Sequence, residues 1–200
     1  ADYQIDTVSG NAGRARVGFE TNIPLSDTFS LQLGGEAVFS PNQNEPRGSV
    51  SLGGLYRDTS LQGSLRMQFS LLPQGVKQVY TAQLIAQAST EFVISPTLEY
   101  AVDPSLWGTA GAKFADGGYF SVAAAYRGNN WSLLLNNVGK FGLYSPTGDK
   151  LEGELQFGYQ ASEVLFSRSS VAYRYLFGGA FTAQLGAGVQ YFLTDSFAIG

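Results

Sequence analysis

The chain has 200 residues, twelve basic against sixteen acidic side chains, a formal net charge of −4, and neither histidine nor cysteine. That balance offers no basic patch for nucleic acid, no disulfide framework or thiolate metal site, and neither the commonest general base nor the commonest transition-metal ligand. A Ser–His–Asp hydrolase is excluded with them, and no apolar run approaches the roughly 18 residues of a transmembrane helix.

Side chains of an extended strand alternate between two faces, and that alternation runs through the chain. Residues 1–9 place Tyr3 and Ile5 on one face, and SGNAG turns the chain. From 14 to 25, Val17, Phe19, Thr21, Ile23 and Leu25 oppose Arg14, Arg16, Gly18, Glu20 and Asn22. LSDT turns into Phe29–Phe39, and the polar loop 41–47 follows with two prolines, which would break a ladder. Val50, Leu52, Gly54 and Tyr56 form the next apolar face, ended by RDT.

Leu61 to Leu71 then alternates against Gln62, Ser64, Arg66, Gln68 and Ser70, and LLPQGVKQ reads as a loop. Tyr80–Ala86 and Phe92–Tyr100 alternate next. VDPS turns into an expected strand at 106–114, where Ala110, Ala112 and Phe114 oppose Thr109, Gly111 and Lys113. Strands at 120–126 and 131–135 precede a long loop, 139–150. Leu151–Tyr159, a strand with Val171, Tyr173 and Tyr175, then 181–191 and a start at Phe197 complete the series. The count is about thirteen or fourteen strands, joined mostly by tight Gly/Asn/Asp/Pro turns.

Two stretches set the interpretation. FTAQLGAGVQY (181–191) and FSLQLGGEAVF (29–39) carry one apolar face bracketed by aromatics and one polar or small face. Ten steps at roughly 3.4 Å, tilted by about 40°, climb roughly 25 Å, the height of the apolar band of a transmembrane β-barrel. Strands of soluble sandwiches run about five or six residues. The low charge content, 14%, falls by parity on the polar face: Arg14, Arg16, Glu20, Glu36, Arg66, Glu99, Lys113, Glu152, Glu154, Arg168 and Arg174 all oppose the apolar side chains. A half-buried soluble sheet would alternate too, so the argument for lipid rests on strand length, aromatic brackets and very low charge on the apolar face. The expected girdle is Phe29, Phe39, Tyr100, Phe114, Tyr126, Trp131, Phe181 and Tyr191.

Short turns of such barrels collect on one side and long loops on the other. Here the two halves of the chain fall out of phase by one strand. Either a strand is miscounted between 60 and 101, or a short loop lies on the long-loop side. In lipid an open strand edge is not tolerated. Because the last strand stops at FAIG and the first residues already alternate, the stretch reads as one barrel region truncated at both ends, with further strands and domains elsewhere.

The stretches FTAQLGAGVQYFLTDSFAIG, FSLQLGGEAVF and FSVAAAYRGNNWSLLL resemble bacterial outer-membrane β-barrel proteins of the porin-like class. The resemblance covers the whole stretch at the level of architecture. It implies residence in the outer membrane of a diderm bacterium, insertion by the barrel-assembly machinery, and contact with outer-membrane lipid.

The candidate chemistry is modest. Arg14, Arg16 and Glu20, joined by Arg66, make either a charged constriction or, the favoured reading, the salt bridges of a generic polar interior. Glu152 and Glu154 with Asp149 have the oxygens for a hard cation, but solvated lumen acids are the simpler account. Phe141, Leu143 and Tyr144 in loop 139–150 either fold into the pore or pack on the rim. Trp107 is read as an interfacial anchor rather than a sugar platform. A Ser–Lys pair has no motif to support it, and the glycine-rich turns lack the context of a phosphate cradle. The expected fold is an all-β antiparallel transmembrane barrel, without enzyme activity, cofactor, metal or nucleic acid. The expected function is a channel for small hydrophilic solutes, the alternative a plugged barrel anchoring a larger cell-envelope protein. A homo-oligomer or other envelope partners are compatible with both. A soluble sandwich or lipocalin-like binder is the third reading.

Overall fold

A computed structural model of the chain describes residues 15–39, 47–106, 109, 111, 113–194 and 197–199, with backbone alone at 15–16 and beyond 191. The expected strand at 1–9 and Trp107 lie outside the described residues. Among the described residues, twelve strands form one antiparallel sheet in sequence order, each hydrogen-bonded to its chain neighbours. They are β1 (Ala15–Pro24), β2 (Phe29–Phe39), β3 (Gly48–Arg57), β4 (Leu61–Leu72), β5 (Gly75–Gln87), β6 (Phe92–Val102), β7 (Asp116–Arg127), β8 (Trp131–Gly142), β9 (Lys150–Ser162), β10 (Leu165–Leu176), β11 (Phe181–Thr194) and β12 (Phe197–Ile199). Apart from β12 they run 10 to 14 residues, about twice the usual length in a soluble sheet.

None of the described residues of 106–114 lies in a strand, and the described residues hold twelve strands against the thirteen or fourteen expected of the whole chain. The segment begins with a single 3₁₀ turn, Pro104–Leu106. Asp103 Oδ1 accepts from the Ser105 backbone N–H at 3.1 Å and also from its hydroxyl, and Thr109 Oγ1 donates to the Ser105 carbonyl at 3.0 Å. Pro104 has no N–H for a ladder, and the Asp and Ser side chains compete for the backbone. The Asp103 N–H then donates to the Ala115 carbonyl at 2.7 Å, closing 103–115 as one connection. Lys113 and Phe114 therefore lie in an exposed loop rather than on a strand face. Alternating Ala and Gly mimicked a strand there because small residues carry no packing information. The LLPQGVKQ loop is also shorter than expected: β4 and β5 join through two residues, and Gly75 supplies a φ of 145°.

Removing that strand restores the phase. Connections 25–28, 58–60, 88–91, 128–130, 163–164 and 195–196 share one rim. Connections 40–47, 73–74, 103–115, 143–149 and 177–180 share the other. All three long ones fall on the second rim. The phase break between the two halves arises at 103–115, outside the 60–101 window.

The register gives the strand tilt. One line of paired residues crosses ten strands: Asn22, Gln32, Gly53, Arg66, Thr81, Glu99, Tyr119, Lys140, Lys150 and Leu176. Asn22 is two residues from the short-turn end of β1, whereas Leu176 is eleven residues from that end of β10. The line climbs nine residues over nine steps. At roughly 3.4 Å per residue and 4.8 Å per strand, one residue per step is a tilt of about 35°, within the range of closed barrels. No ladder joins β12 to β1 among the described residues.

Burial is inverted relative to a soluble domain. On β9, Leu155, Phe157 and Tyr159 are exposed while Glu152, Glu154 and Gln156 are half-buried. On β6, Glu99 is half-buried between exposed Leu98 and Tyr100. Val38, Leu72 and Ala101 are the only buried hydrophobic residues among those described, while Leu185 is 79% exposed and Leu65 66%. Leu55, Ile85, Leu134, Phe166 and Leu176 are among the large apolar side chains that stand on the polar side, pairing with residues such as Ser64, Gln62, Gln156, Gln160 and Lys150. A sheet with its polar side chains crowded and its apolar ones splayed is curled toward its polar face.

Candidate functional site: the polar face of the sheet

Cross-strand pairs share a face, so the ladder assigns each candidate. Arg14 lies outside the described residues, and only the backbone of Arg16 is described, paired with Val38. Glu20 stands opposite Gly34, Glu36 between Gly18 and Ser49, and Arg66 between Gly53 and Thr81. Glu152 stands between Val138 and Arg174, Glu154 between Asn136 and Ala172, and Arg168 between Gly158 and Gly188. All are on the polar face, but they form two groups on well-separated strands.

The first group belongs to β1–β4. Glu20, Glu36, Ser49, Ser51, Arg66 and Gln68 line a hollow of about 200 Å³. Its floor is open because Gly34 carries no side chain: a Cβ there would sit 2.6 Å from Ser51 Oγ. Arg66 Nη2 donates to that hydroxyl at 3.4 Å.

The second group belongs to β8–β11 and centres on Glu152. Lys140 Nζ lies 3.3 Å from Oε1, and Lys150 Nζ and Arg174 Nε each lie 3.3 Å from Oε2. Three cations around one carboxylate leave a local excess of positive charge. A hollow of about 520 Å³ adjoins it, lined by Asn136, Glu154, Arg174, Thr182 and Gln184. Arg168 donates to Gln156 on the next strand. Of the oxygens considered for a hard cation, those of Glu152 are engaged by its three cations and Asp149 Oδ1 by the Gly142 N–H at 2.9 Å.

Between the groups, loop 143–149 turns in over the polar face. Gly142, with φ of 57°, starts the turn, and the Ser145 N–H donates to its carbonyl at 2.9 Å. Ser145, 2% exposed, donates its hydroxyl to the Gly148 carbonyl at 2.6 Å. Tyr144 is thereby carried across β7 to donate its hydroxyl to Glu99 Oε1 on β6. Its ring rests against Tyr119, centroids 6.1 Å apart, and Thr81 donates to the other Glu99 oxygen at 3.4 Å. Burial, then the hydrogen bond to Glu99 and that residue's charge, raise the Tyr144 hydroxyl above the ordinary tyrosine value. It stays a donor across the neutral range.

Sequence reasoning missed Lys140, Lys150, Thr81 and Tyr119. Lys140 and Lys150 lay inside the segment read as a loop, although Lys140 continues the parity of Asn136 and Val138. Nothing local marks Tyr119, whose role depends on Tyr144 arriving from 25 residues away.

Aromatic side chains stand on the apolar face at both rims. Phe39, Tyr100 and Phe181 stand at long-loop ends of their strands; Phe29, Tyr126, Trp131 and Tyr191 stand at short-turn ends. Tyr126 stacks on Trp131 at 4.5 Å, and Trp131 on Phe157 at 6.4 Å. At the other rim Phe141 stacks on Phe120 at 6.0 Å and meets Phe177 at 5.7 Å.

No protein-family model and no curated protein sequence matches the chain. Among solved structures it is similar to a NanC porin, with a TM-score of 0.41 and 9% identity over 92% of this chain and 96% of that one. It is also similar to Pseudomonas aeruginosa OccK11 (OpdR), with a TM-score of 0.50 and 16% identity over 94% of this chain. The chain spans 63% of the length of OccK11. The likeness to OccK11 is one of fold: the chain is an all-β antiparallel sheet of the porin-like barrel class.

Proposed function

We propose that the chain forms the wall of an outer-membrane channel for small hydrophilic solutes, with its polar face toward the lumen and its apolar face in lipid. The observation that carries this is the inverted burial: on one strand, glutamates are less exposed than leucine and phenylalanine. A soluble domain of this size buries about 70% of its unfolded surface, and a face of exposed Leu, Val and Phe is stable in water only if covered. In a bilayer the same face is the solvated one. Strand length, the tilt of about 35° and aromatics at both rims support the same geometry.

In this reading the short turns face the periplasm and the long loops the exterior, and the barrel-assembly machinery inserts the chain. The lumen selects solutes by its two charged groups, and Tyr144 narrows the passage between them. The channel needs no enzymatic step. The full-length protein, extracted from membranes in detergent and added to a planar bilayer, should give stable ohmic conductance steps. Insertion without conductance would overturn the channel in favour of a plugged anchoring barrel; a protein soluble without detergent would overturn the membrane reading itself.

A further inference from the structure

A hollow of about 1130 Å³ lies on the apolar face of β2–β8. Its lining is almost entirely carbon. It exists because Gly54, Gly63, Ala82, Pro96 and Gly118 stand where the same face elsewhere holds leucine or an aromatic. Leu52, Leu65, Leu84, Leu98 and Phe120 rise around that floor. The hollow is elongated: Phe29 and Tyr56 border it at the short-turn rim, and Tyr100 and Phe141 at the long-loop rim.

Its two ends differ chemically. Near the long-loop end the Tyr80 hydroxyl donates to Gln78 Oε1 at 2.7 Å, and the Tyr100 hydroxyl donates to Asp116 Oδ2 at 3.0 Å. Both phenols keep acceptor capacity. At the short-turn end Phe29 brings no polar group, and the Tyr56 hydroxyl has no partner among the described residues.

We infer that this hollow is a fixed site for one lipid, its acyl chain lying along the strands and its polar head at the long-loop rim beside Tyr80, Tyr100 and Asp116. The inference rests on the proposed membrane-facing role of this surface. Three observations favour an acyl chain over other occupants. The hollow is continuous with the face assigned to lipid, it extends between the two rims, and two of its three apolar-face tyrosine hydroxyls, with Asp116 beside them, stand at the long-loop end. A second copy of the sheet would be convex here and would meet the splayed side chains before reaching the glycine floor.

The test uses the full-length protein purified in dodecyl maltoside, incubated with dioleoyl phosphatidylethanolamine and examined by native mass spectrometry. The unaltered protein should retain one lipid adduct at collision energies that strip the detergent. Gly63→Phe and Ala82→Phe fill the hollow and should each lose that adduct. Ala187→Phe, on the apolar face of β11 away from it, should keep it. Heat-dependent gel migration of each variant verifies that the barrel has folded. Equal retention by the filled variants, or none by the unaltered protein, overturns the inference. So does a dimer that the filling substitutions abolish, which would make the occupant a second copy. Failure of the protein to partition into detergent or vesicles would instead overturn the membrane reading, so the two failures are distinguishable.

Discussion

The two faces of this sheet share every backbone hydrogen bond and differ only in which alternate residue they present. On the polar face, charged groups hold one another, as half-buried Glu152 holds Lys140 and Arg174 on the two neighbouring strands and Lys150 on its own. On the apolar face polar groups are few, and several are tied to a neighbour: Tyr173 donates to Asn137 across Gly153. Under the proposed channel reading, the contrast teaches that each face is built for a different solvent. A polar group on the lipid side needs a local partner, because water does not supply one; a charge on the lumen side can use water or an opposite charge.

The strongest way to break the contrast is to exchange the solvents of neighbouring residues. Leu65→Arg, near the middle of β4 on the apolar face, should destabilise the folded protein in vesicles by roughly 2–4 kcal/mol. Ser64→Arg, one residue away on the lumen face, should cost less than about 1 kcal/mol. Denaturant unfolding from phosphatidylcholine vesicles compares them, and equal costs would contradict the assignment of faces.

Glu152→Gln comes next. It leaves Lys140, Lys150 and Arg174 without their shared counter-charge, so the lumen should become more anion-selective, with a reversal potential shifted accordingly in a salt gradient. The groups are partly exposed, so the stability cost should stay near 1 kcal/mol. An unchanged reversal potential would remove this group from the permeation path.

A smaller effect is expected where the loop meets the face. Tyr144→Phe keeps the ring against Tyr119 but deletes the donor to Glu99. The loss of about 1 kcal/mol should loosen loop 143–149 and appear as raised open-channel noise. The hydroxyl's pKa is raised, so this contribution is complete below the ordinary tyrosine value of about 10 and is lost only as pH climbs through the higher folded value. Noise in the unaltered channel should therefore stay flat between neutral pH and about 10, and a rise inside that window would count against the latch.

The smallest change is at a turn that touches neither solvent face. Ser26 Oγ accepts from the Phe29 N–H at 3.0 Å and the Thr28 N–H at 3.3 Å. Ser26→Ala should cost about 0.5 kcal/mol and leave conductance unaltered. A conductance change would mean that the short-turn rim takes part in the passage.

Local pattern made most of this legible. The alternation in 29–39 and 181–191 needs only the period of an extended chain, and aromatics at strand ends mark where the apolar band stops. The parity of Glu20, Glu36, Arg66 and Arg174 placed them on one face without any structure, because a misplaced charge in lipid is costly. Where the segment held only small residues, as at 109–112, parity had nothing to read. An Asp–Pro–Ser turn then decided the path.

By itself the sequence determined the strand period, the sorting of residues between the faces and the absence of histidine- and thiolate-based chemistry, since each depends on residue type and spacing of two. Tertiary structure alone decided the register and what the register creates. The tilt, the gathering of Lys140, Lys150 and Arg174 around Glu152, the reach of Tyr144 to Glu99 and the glycine-floored hollow on the lipid side all depend on which residues of separate strands stand opposite. That choice is set by turn length and cross-strand packing summed over the sheet, and no single strand encodes it.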